Sequence, residues 1–260
     1  MNTRDKKSEN LEQAYTLLME AVSQKCELVA FPENFSMLSE DKDLILKNAE
    51  TLDGPTVKKI QSWAKKNSIW ILAGSVNLKV KNEPTKVTNT SLLISPEGKI
   101  TARYDKIHLF DATFSNNNYN ESKNICPGTT PTVGLTSLGK VGLSICYDIR
   151  FPELYRFFSD EKANIIFIPS AFVEFTGKAH WDVLTRARAI ENQAYVIAPN
   201  QTGSPYPGRK SFGHTRIIDP WGRVIAEKKE GAGVIRADLD IEDLEKIRNE
   251  LPALKHRKIK

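Results

Sequence analysis

A cysteine ends an apolar run and precedes a helical pattern in Val141-Gly142-Leu143-Ser144-Ile145-Cys146-Tyr147-Asp148-Ile149-Arg150-Phe151-Pro152-Glu153-Leu154. A strand that stops at a thiol and turns sharply into a helix exposes the sulfur. It also points the next backbone N–H groups at whatever the sulfur attacks. Taken alone, a cysteine is more often a core residue. A thiol is a weak nucleophile until its proton is removed. A buried glutamate can take that proton, because burial and like-charge neighbours raise its pKa. A lysine ammonium can stabilise the thiolate and the oxyanion of a tetrahedral intermediate. Glu33 and Lys106 have settings that suit these two roles. Taken singly, each reads equally well as a solvated loop carboxylate and a surface lysine. Four histidines, His108, His180, His214 and His256, offer a Cys–His alternative, but no motif accompanies any of them.

The elements that must position these groups have readable periods. Leu11, Ala14, Leu17, Leu18, Ala21 and Val22 recur at helical spacing, predicting a helix over 9–24 with Ser8 as its N-cap. Leu28-Val29-Ala30-Phe31 is a short buried strand cut by Pro32. Glu33 therefore stands at a C-terminal strand end, where open α/β sheets place their chemistry. Gly54-Pro55 opens a helix with Val57, Ile60, Trp63 and Ala64 on its inner face. Strands over 69–76 and 88–95 follow, and Pro96-Glu97-Gly98-Lys99 turns the chain into a return strand over 100–104 that delivers Lys106. Residues 111–124 read as a polar loop ending in Tyr119-Asn120-Glu121-Ser122. A loop of that length in a compact domain is often functional. Beyond Cys146, helices over 152–159 and 181–190 alternate with buried strands over 164–170 and 194–198. A hairpin across Asp219-Pro220-Trp221-Gly222, a last strand over 233–239 and a last helix over 241–251 complete the chain. The alternation predicts one mixed-sheet α/β domain spanning 1–260.

Composition narrows the class. Hydrophobic residues at 40% and charged residues at 27% are ordinary for a soluble globular protein. No apolar run approaches the ~20 residues that span a bilayer. The charged start, Met1-Asn2-Thr3-Arg4-Asp5-Lys6-Lys7, lacks the apolar segment of a secretory signal, so a cytoplasmic protein is expected. Cys26, Cys126 and Cys146 are odd in number and scattered, which argues against a disulfide framework and fits no zinc spacing. Much of the net charge of +5 lies in a basic tail at 255–260, where Lys255, Arg257, Lys258 and Lys260 cluster. Such a tail is usually solvated, and no recognition-helix motif accompanies it, so no nucleic-acid partner is expected.

Three segments carry a resemblance. Phe31-Pro32-Glu33-Asn34-Phe35, Tyr104-Asp105-Lys106-Ile107-His108-Leu109-Phe110-Asp111 and Ser144 to Leu154 resemble, in order, the signature blocks of the nitrilase superfamily, the carbon–nitrogen hydrolases with a Glu–Lys–Cys triad. Tyr119 to Ser122, Arg186 to Gln193 and Asp219 to Gly222 add to it, and the likeness covers nearly the whole chain. It implies a four-layer αββα sandwich, a homodimer or larger homo-oligomer, and no metal or organic cofactor. It implies Glu33 as general base, Cys146 as nucleophile, and Lys106 with the Tyr147 N–H as oxyanion donors. Glu121 matches a second glutamate that orients the site and shares in proton transfer.

The blocks look most like the Nit-type amidases. There an arginine four residues after the cysteine, here Arg150, grips a substrate carboxylate, which suits a bidentate guanidinium. The plainer reading of Arg150 is a salt bridge to Asp148 or Glu153. Phe172 and Thr176 match positions lining the same pocket. The expected activity is hydrolysis of the terminal carboxamide of a small α-keto acid amide with release of ammonia. Deaminated glutathione is the first expected substrate and α-ketoglutaramate the second. One departure stands out: the family's first sheet strand, which precedes the first helix, is not found in this sequence, as expected if the true start lies upstream of Met1 or if the sheet is rearranged. An unfilled sheet edge motivates a different class of function, a catalytically silent scaffold that binds an acid.

Overall fold

The computed structural model describes residues 1–114 and 117–259. Its first half runs through α1 (Lys7–Ser23), β1 (Leu28–Ala30), α2 (Lys42–Asn48), α3 (Pro55–Asn67), β2 (Trp70–Leu72), β3 (Val76–Val80), β4 (Glu83–Ile94) and β5 (Ile100–Asp105). A short hairpin, β6 (Asp111–Phe114) and β7 (Asn117–Asn120), leads into a 3-10 turn over Glu121–Lys123. The second half contains β8 (Thr132–Thr136), β9 (Gly139–Leu143), a 3-10 turn over Cys146–Arg150, α4 (Pro152–Asp160), β10 (Ile165–Phe167), α5 (Glu174–Asn192) and β11 (Tyr195–Ala198). It closes with β12 (Thr202–Tyr206), β13 (Arg209–Phe212), β14 (Thr215–Ile218), β15 (Val224–Lys228) and α6 (Ile241–Glu250).

Two sheets form the centre. The first has the order β1-β2-β4-β3, with β5 also on β4; the second has the order β15-β14-β11-β10-β9-β8. Side chains alternate across a strand, and the alternation sorts the layers. Ile71, Leu92 and Ile94 face α1 and α3, packing on Leu11, Ala14, Leu18, Val57 and Ile60. Leu72 and Leu93 point the other way, into the core shared with Val141, Leu143, Ile165 and Phe167. Trp181 and Ala189 of α5 and Phe158 of α4 join that core from the far side of the second sheet. The result is the four-layer αββα sandwich the sequence predicts.

Two glycines set the layer spacing. A Cβ on Gly142 would lie 2.6 Å from the Phe158 ring, and one on Gly134 would lie 2.6 Å from Leu93 Cδ2. Strand β10 pairs in parallel with β9 and β11, and all three of its residues are buried. That matches its unbroken apolar run, since parallel strands are covered on both faces.

Three local expectations change. Helix α1 begins at Lys7 with Lys6 as N-cap and no side-chain cap, so Ser8 lies inside the first turn. Residues 111–124 are not a plain loop: Asp111 pairs with Asn120 and Ala112 with Tyr119 before the 3-10 turn. Residues 233–239 are not a strand. A strand needs a neighbour to take its backbone groups, and this segment has none among the described residues; it borders a groove whose other wall is Glu27 to Pro32. As expected, no described strand precedes α1, and β1 is an edge. Its parallel register with β2 turns the Val29 amide and carbonyl inward and leaves those of Leu28 and Ala30 on the open side. Of the basic tail, Arg257 is held by Asp160 at 2.6 Å, and Lys260 lies outside the described residues.

Candidate active site

The site forms where strands of both sheets end. Strand β1 ends at Ala30, Phe31 and Pro32 carry the chain on, and Glu33 follows in a sharp turn with Asn34 at φ 55°. The Asn34 N–H donates to Ser75 Oγ at 2.8 Å. Gly74 makes this turn possible, since a Cβ there would lie 2.0 Å from the Pro32 carbonyl oxygen. Lys106 leaves the end of β5 with its N–H bonded to Asn89 O on β4. Cys146 lies just past β9 at φ 49°. A non-glycine residue costs energy there and is held only by its surroundings. Here they include the Cys146 N–H bond to Pro169 O at 2.9 Å and the Ser144 hydroxyl, bonded to Phe167 O and the Tyr155 hydroxyl.

Asp148 ties the nucleophile turn to the lysine loop. Its fully buried carboxylate accepts from the Tyr104 hydroxyl at 2.8 Å, the Ile145 N–H at 2.8 Å and the His108 N–H at 3.1 Å, and it meets His108 Nδ1 at 2.7 Å.

Lys106 is the hub. Its buried Nζ donates to Glu33 Oε1 at 2.9 Å and to both oxygens of Glu121 at 3.0 and 2.8 Å. Asn89 Nδ2 also reaches Glu33 Oε1, at 2.9 Å, and the Ala171 N–H reaches Glu33 Oε2 at 2.8 Å. The Phe110 N–H fixes Glu121 Oε2 at 2.7 Å. Cys146 lines the same cavity as Glu33 and Lys106, and the charges of both act on its thiol. The Tyr147 N–H has no acceptor among the described residues.

The charges settle one another. Burial alone would raise the Glu33 carboxyl, but Lys106 and the converging donors outweigh it and hold the group below its ordinary value. Burial alone would lower the Lys106 ammonium, but Glu121 and Glu33 keep it well above the usual lysine range. Burial and the Glu33 carboxylate push the Cys146 thiol far up, against the opposing Lys106 charge. The resting site is therefore a thiol beside two carboxylates and one ammonium.

These groups border a cavity of about 360 Å³, a volume suited to a small molecule. Tyr147, Arg150, Phe172 and Thr176 all line it. Arg150 pairs with neither Asp148 nor Glu153. Its guanidinium lies 5.6 Å from the Tyr147 ring centre and 5.4 Å from that of Phe172, with Nη1 3.2 Å from His180 Nδ1. No histidine lines the cavity. Among the described residues, no group of three His, Cys, Asp or Glu side chains is arranged to hold a metal. Asn89, the Ala171 N–H, the Asp148 tie and Arg209, which enters from β13, were not picked out from the sequence. Asn89 carried no distinguishing signal, because it sits among Thr88, Thr90 and Ser91 in the polar half of β4.

The whole arrangement matches one family. The carbon–nitrogen hydrolase model covers residues 1–249. The chain belongs to the carbon–nitrogen hydrolase family. The deaminated glutathione amidase of Synechocystis is 44% identical to this hydrolase, over 99% of this chain and 95% of its own length. The crystal structure of the NitFhit protein of C. elegans superimposes with a TM-score of 0.94 at 36% identity, over 99% of this chain and 63% of that longer one. Saccharomyces cerevisiae Nit3, described as a member of branch 10 of the nitrilase superfamily, superimposes with a TM-score of 0.89 at 31% identity, over 99% of this hydrolase and 93% of Nit3.

Proposed function

We propose that this carbon–nitrogen hydrolase is an amidase acting on a small α-keto acid amide, deaminated glutathione first, through a thioester on Cys146. The observation that carries this reading is Lys106 Nζ bridging Glu33 and Glu121 in the cavity that Cys146 also lines, beside an Arg150 with no carboxylate partner among the described residues. Relatives named deaminated glutathione amidase, 35–44% identical over nearly the full chain, support the substrate.

The steps follow from the contacts. Glu33 takes the thiol proton as Sγ attacks the amide carbonyl, so the thiolate never has to exist free in a site that disfavours it. Charge passes to the carbonyl oxygen, which Lys106 Nζ and the Tyr147 N–H stabilise. Glu33 returns the proton to the amide nitrogen as the C–N bond breaks and the amine leaves. Glu33 then takes a proton from water, the hydroxide attacks the thioester, and the C–S bond breaks as Glu33 returns that proton to the departing sulfur, giving the acid and the thiol. Glu121 keeps Lys106 charged and in place throughout. Arg150 holds the keto acid's carboxylate against the Tyr147–Phe172 wall, and Thr176 bounds the pocket.

The leaving group depends on the amide. Deaminated glutathione joins its keto acid to the amine of cysteinylglycine, so it has no terminal carboxamide and the dipeptide departs, not the ammonia expected from the sequence; ammonia departs from α-ketoglutaramate. Arg150 serves either acyl group, which makes α-ketoglutaramate the second reading. The deciding experiment measures release of cysteinylglycine and of ammonia from the two substrates, with Cys146→Ala as control. Turnover abolished in the variant supports the reading. A folded protein that binds keto acids and turns over neither amide overturns it in favour of a silent acid-binding scaffold.

The same reading takes the chain as one domain over 1–260, working in the cytoplasm as a homodimer or larger. Exposed Val183 and Ile190 of α5 stand on one helix face, and Gly222, next to exposed Trp221, packs against Ile190, an apolar surface suited to self-association. Sedimentation of a Val183→Glu/Ile190→Glu variant as monomer, where the parent is larger, supports this.

A further inference from the structure

Arg209 is a second guanidinium in the cavity that the mechanism leaves unused. It opens β13, next to the Pro207-Gly208 turn that joins β12 to β13. Its Nη2 donates to Ala171 O at 2.7 Å, and the Ala171 N–H holds Glu33. The guanidinium is therefore one residue removed from the proposed base. Its plane lies 5.9 Å from both the Tyr119 and the Tyr206 ring centres. The rest of its fork is idle: Nε is buried without a partner, and Nη1 reaches only the Tyr206 hydroxyl, at 3.5 Å. Among the described residues no carboxylate pairs with Arg209 or with Arg150, whereas Glu33 and Glu121 are both held by Lys106. The cavity thus offers two free guanidiniums, and a buried donor without an acceptor calls for one from the ligand.

We infer that the site is built for an amide carrying two carboxylates, and that Arg209 is the specificity-determining residue for the one on the departing amine. This rests on the amidase reading above. The division of labour follows from the covalent chemistry. The acyl part stays bonded to Sγ between the two half-reactions, so its anchor must be fixed relative to the sulfur. Arg150, on the same 3-10 turn as Cys146, is so fixed. The amine must leave after the first half-reaction, and an anchor on a separate hairpin can hold and release it without disturbing the thioester. In deaminated glutathione that second carboxylate is the terminal one of cysteinylglycine; α-ketoglutaramate has none. The fork of an arginine matches a carboxylate in two places, which a lysine cannot reproduce.

The test compares three substrates: deaminated glutathione, the same molecule with its terminal glycine carboxylate capped as an amide, and α-ketoglutaramate. In the parent enzyme, capping lowers kcat/KM by roughly 10- to 100-fold, mostly through KM, the size expected for one charge-assisted pair. In Arg209→Gln that preference for the free acid collapses toward unity, and in Arg209→Lys it is restored in part. Arg150→Gln instead depresses all three substrates together. A purely structural Arg209, bracing Ala171 behind Glu33, would lower kcat on all three alike and leave the preference intact; that result overturns the inference. So does a parent enzyme indifferent to the cap. If the parent enzyme turns over none of the three, the amidase reading fails and this inference fails with it. Turnover with no effect of the cap refutes only the role of Arg209.

Discussion

Replacing Glu33 by glutamine separates two effects that are usually lost together. The side chain keeps its size but loses its charge and its ability to accept a proton. Without a general base, kcat should fall by roughly 10²- to 10⁴-fold, in acylation and in deacylation. The thiol should respond in the opposite sense. Glu33, Glu121 and Lys106 together carry one net negative charge, so ionising Cys146 adds a second beside it. Two like charges about 4 Å apart repel by about 4 kcal/mol at an effective dielectric of 20. Glutamine removes that repulsion and leaves Lys106 and the Ala171 N–H to favour the thiolate. The midpoint for alkylation of Cys146 by iodoacetamide should therefore move down by about one pH unit or more. The assay pairs steady-state hydrolysis with alkylation rates across pH, read by mass spectrometry at Cys146. Hydrolysis within about tenfold of the parent would remove Glu33 as base. A dead variant whose thiol midpoint stays put or rises would refute the electrostatic account.

Asp148→Asn should weaken the tie between nucleophile turn and lysine loop, since one amide cannot accept from all its donors; a loss of about 3 kcal/mol in stability with reduced kcat is expected by denaturant titration and assay, and an unchanged midpoint would refute the tie. Glu33 is held below its ordinary carboxyl value of 4.5, so its stabilisation is complete above that value and is lost as pH falls through the lowered one. The kcat/KM profile should accordingly show no ionisation limb between pH 5 and 8 from this group; a limb there would mean that Glu33 rests protonated. Arg150→Gln should lower kcat/KM roughly 10- to 100-fold, chiefly through KM, while alkylation of Cys146 proceeds as before. At the open edge of β1, the Leu28 and Ala30 amides should exchange hydrogen faster than Val29, and equal protection of all three would show that the edge is covered.

The fold was legible where local pattern and tertiary demand agree. The Ile165-Ile166-Phe167 run could only be a strand covered on both faces, and the thiol at the end of Val141 to Ile145 marked an elbow before any contact was known. Glu33 and Lys106 were legible only as members of recurring blocks. Nothing in the chain between these two residues, 73 positions apart, says that Lys106 Nζ will lie 2.9 Å from Glu33. Residues 233–239 failed for the converse reason: their alternation is that of a strand, but pairing is a property of two segments, and the second is missing from their side. The hairpin β6–β7 was missed because its asparagines have low strand propensity, and the cross-strand register that overrides propensity is invisible locally. Ala171 supplies a backbone N–H, which no side-chain reading can find. Arg209 looked like any loop arginine until the hairpin carried it into the cavity.

The second carboxylate explains why so costly a cluster is buried. With Glu33 alone, moving the thiol proton onto the base would strip Lys106 of its partner in mid-reaction. A buried ammonium left unpaired is heavily penalised. Glu121 removes that penalty: it holds Lys106 with both oxygens and is itself fixed by the Phe110 N–H. The proton then moves within the cluster, from sulfur to Glu33 to the departing nitrogen, and the cluster's net charge stays constant until the amine leaves. One negative charge travels from Glu33 to the carbonyl oxygen, always beside the same ammonium. Glu121→Gln should therefore do more harm than its distance from the thiol suggests, and should do it through Lys106. Loss of kcat together with a downward shift in the Lys106 pKa, read by pH-dependent lysine acylation, is the expected pair. A Glu121→Gln enzyme with unchanged kcat would mean that Glu33 alone suffices to hold the lysine.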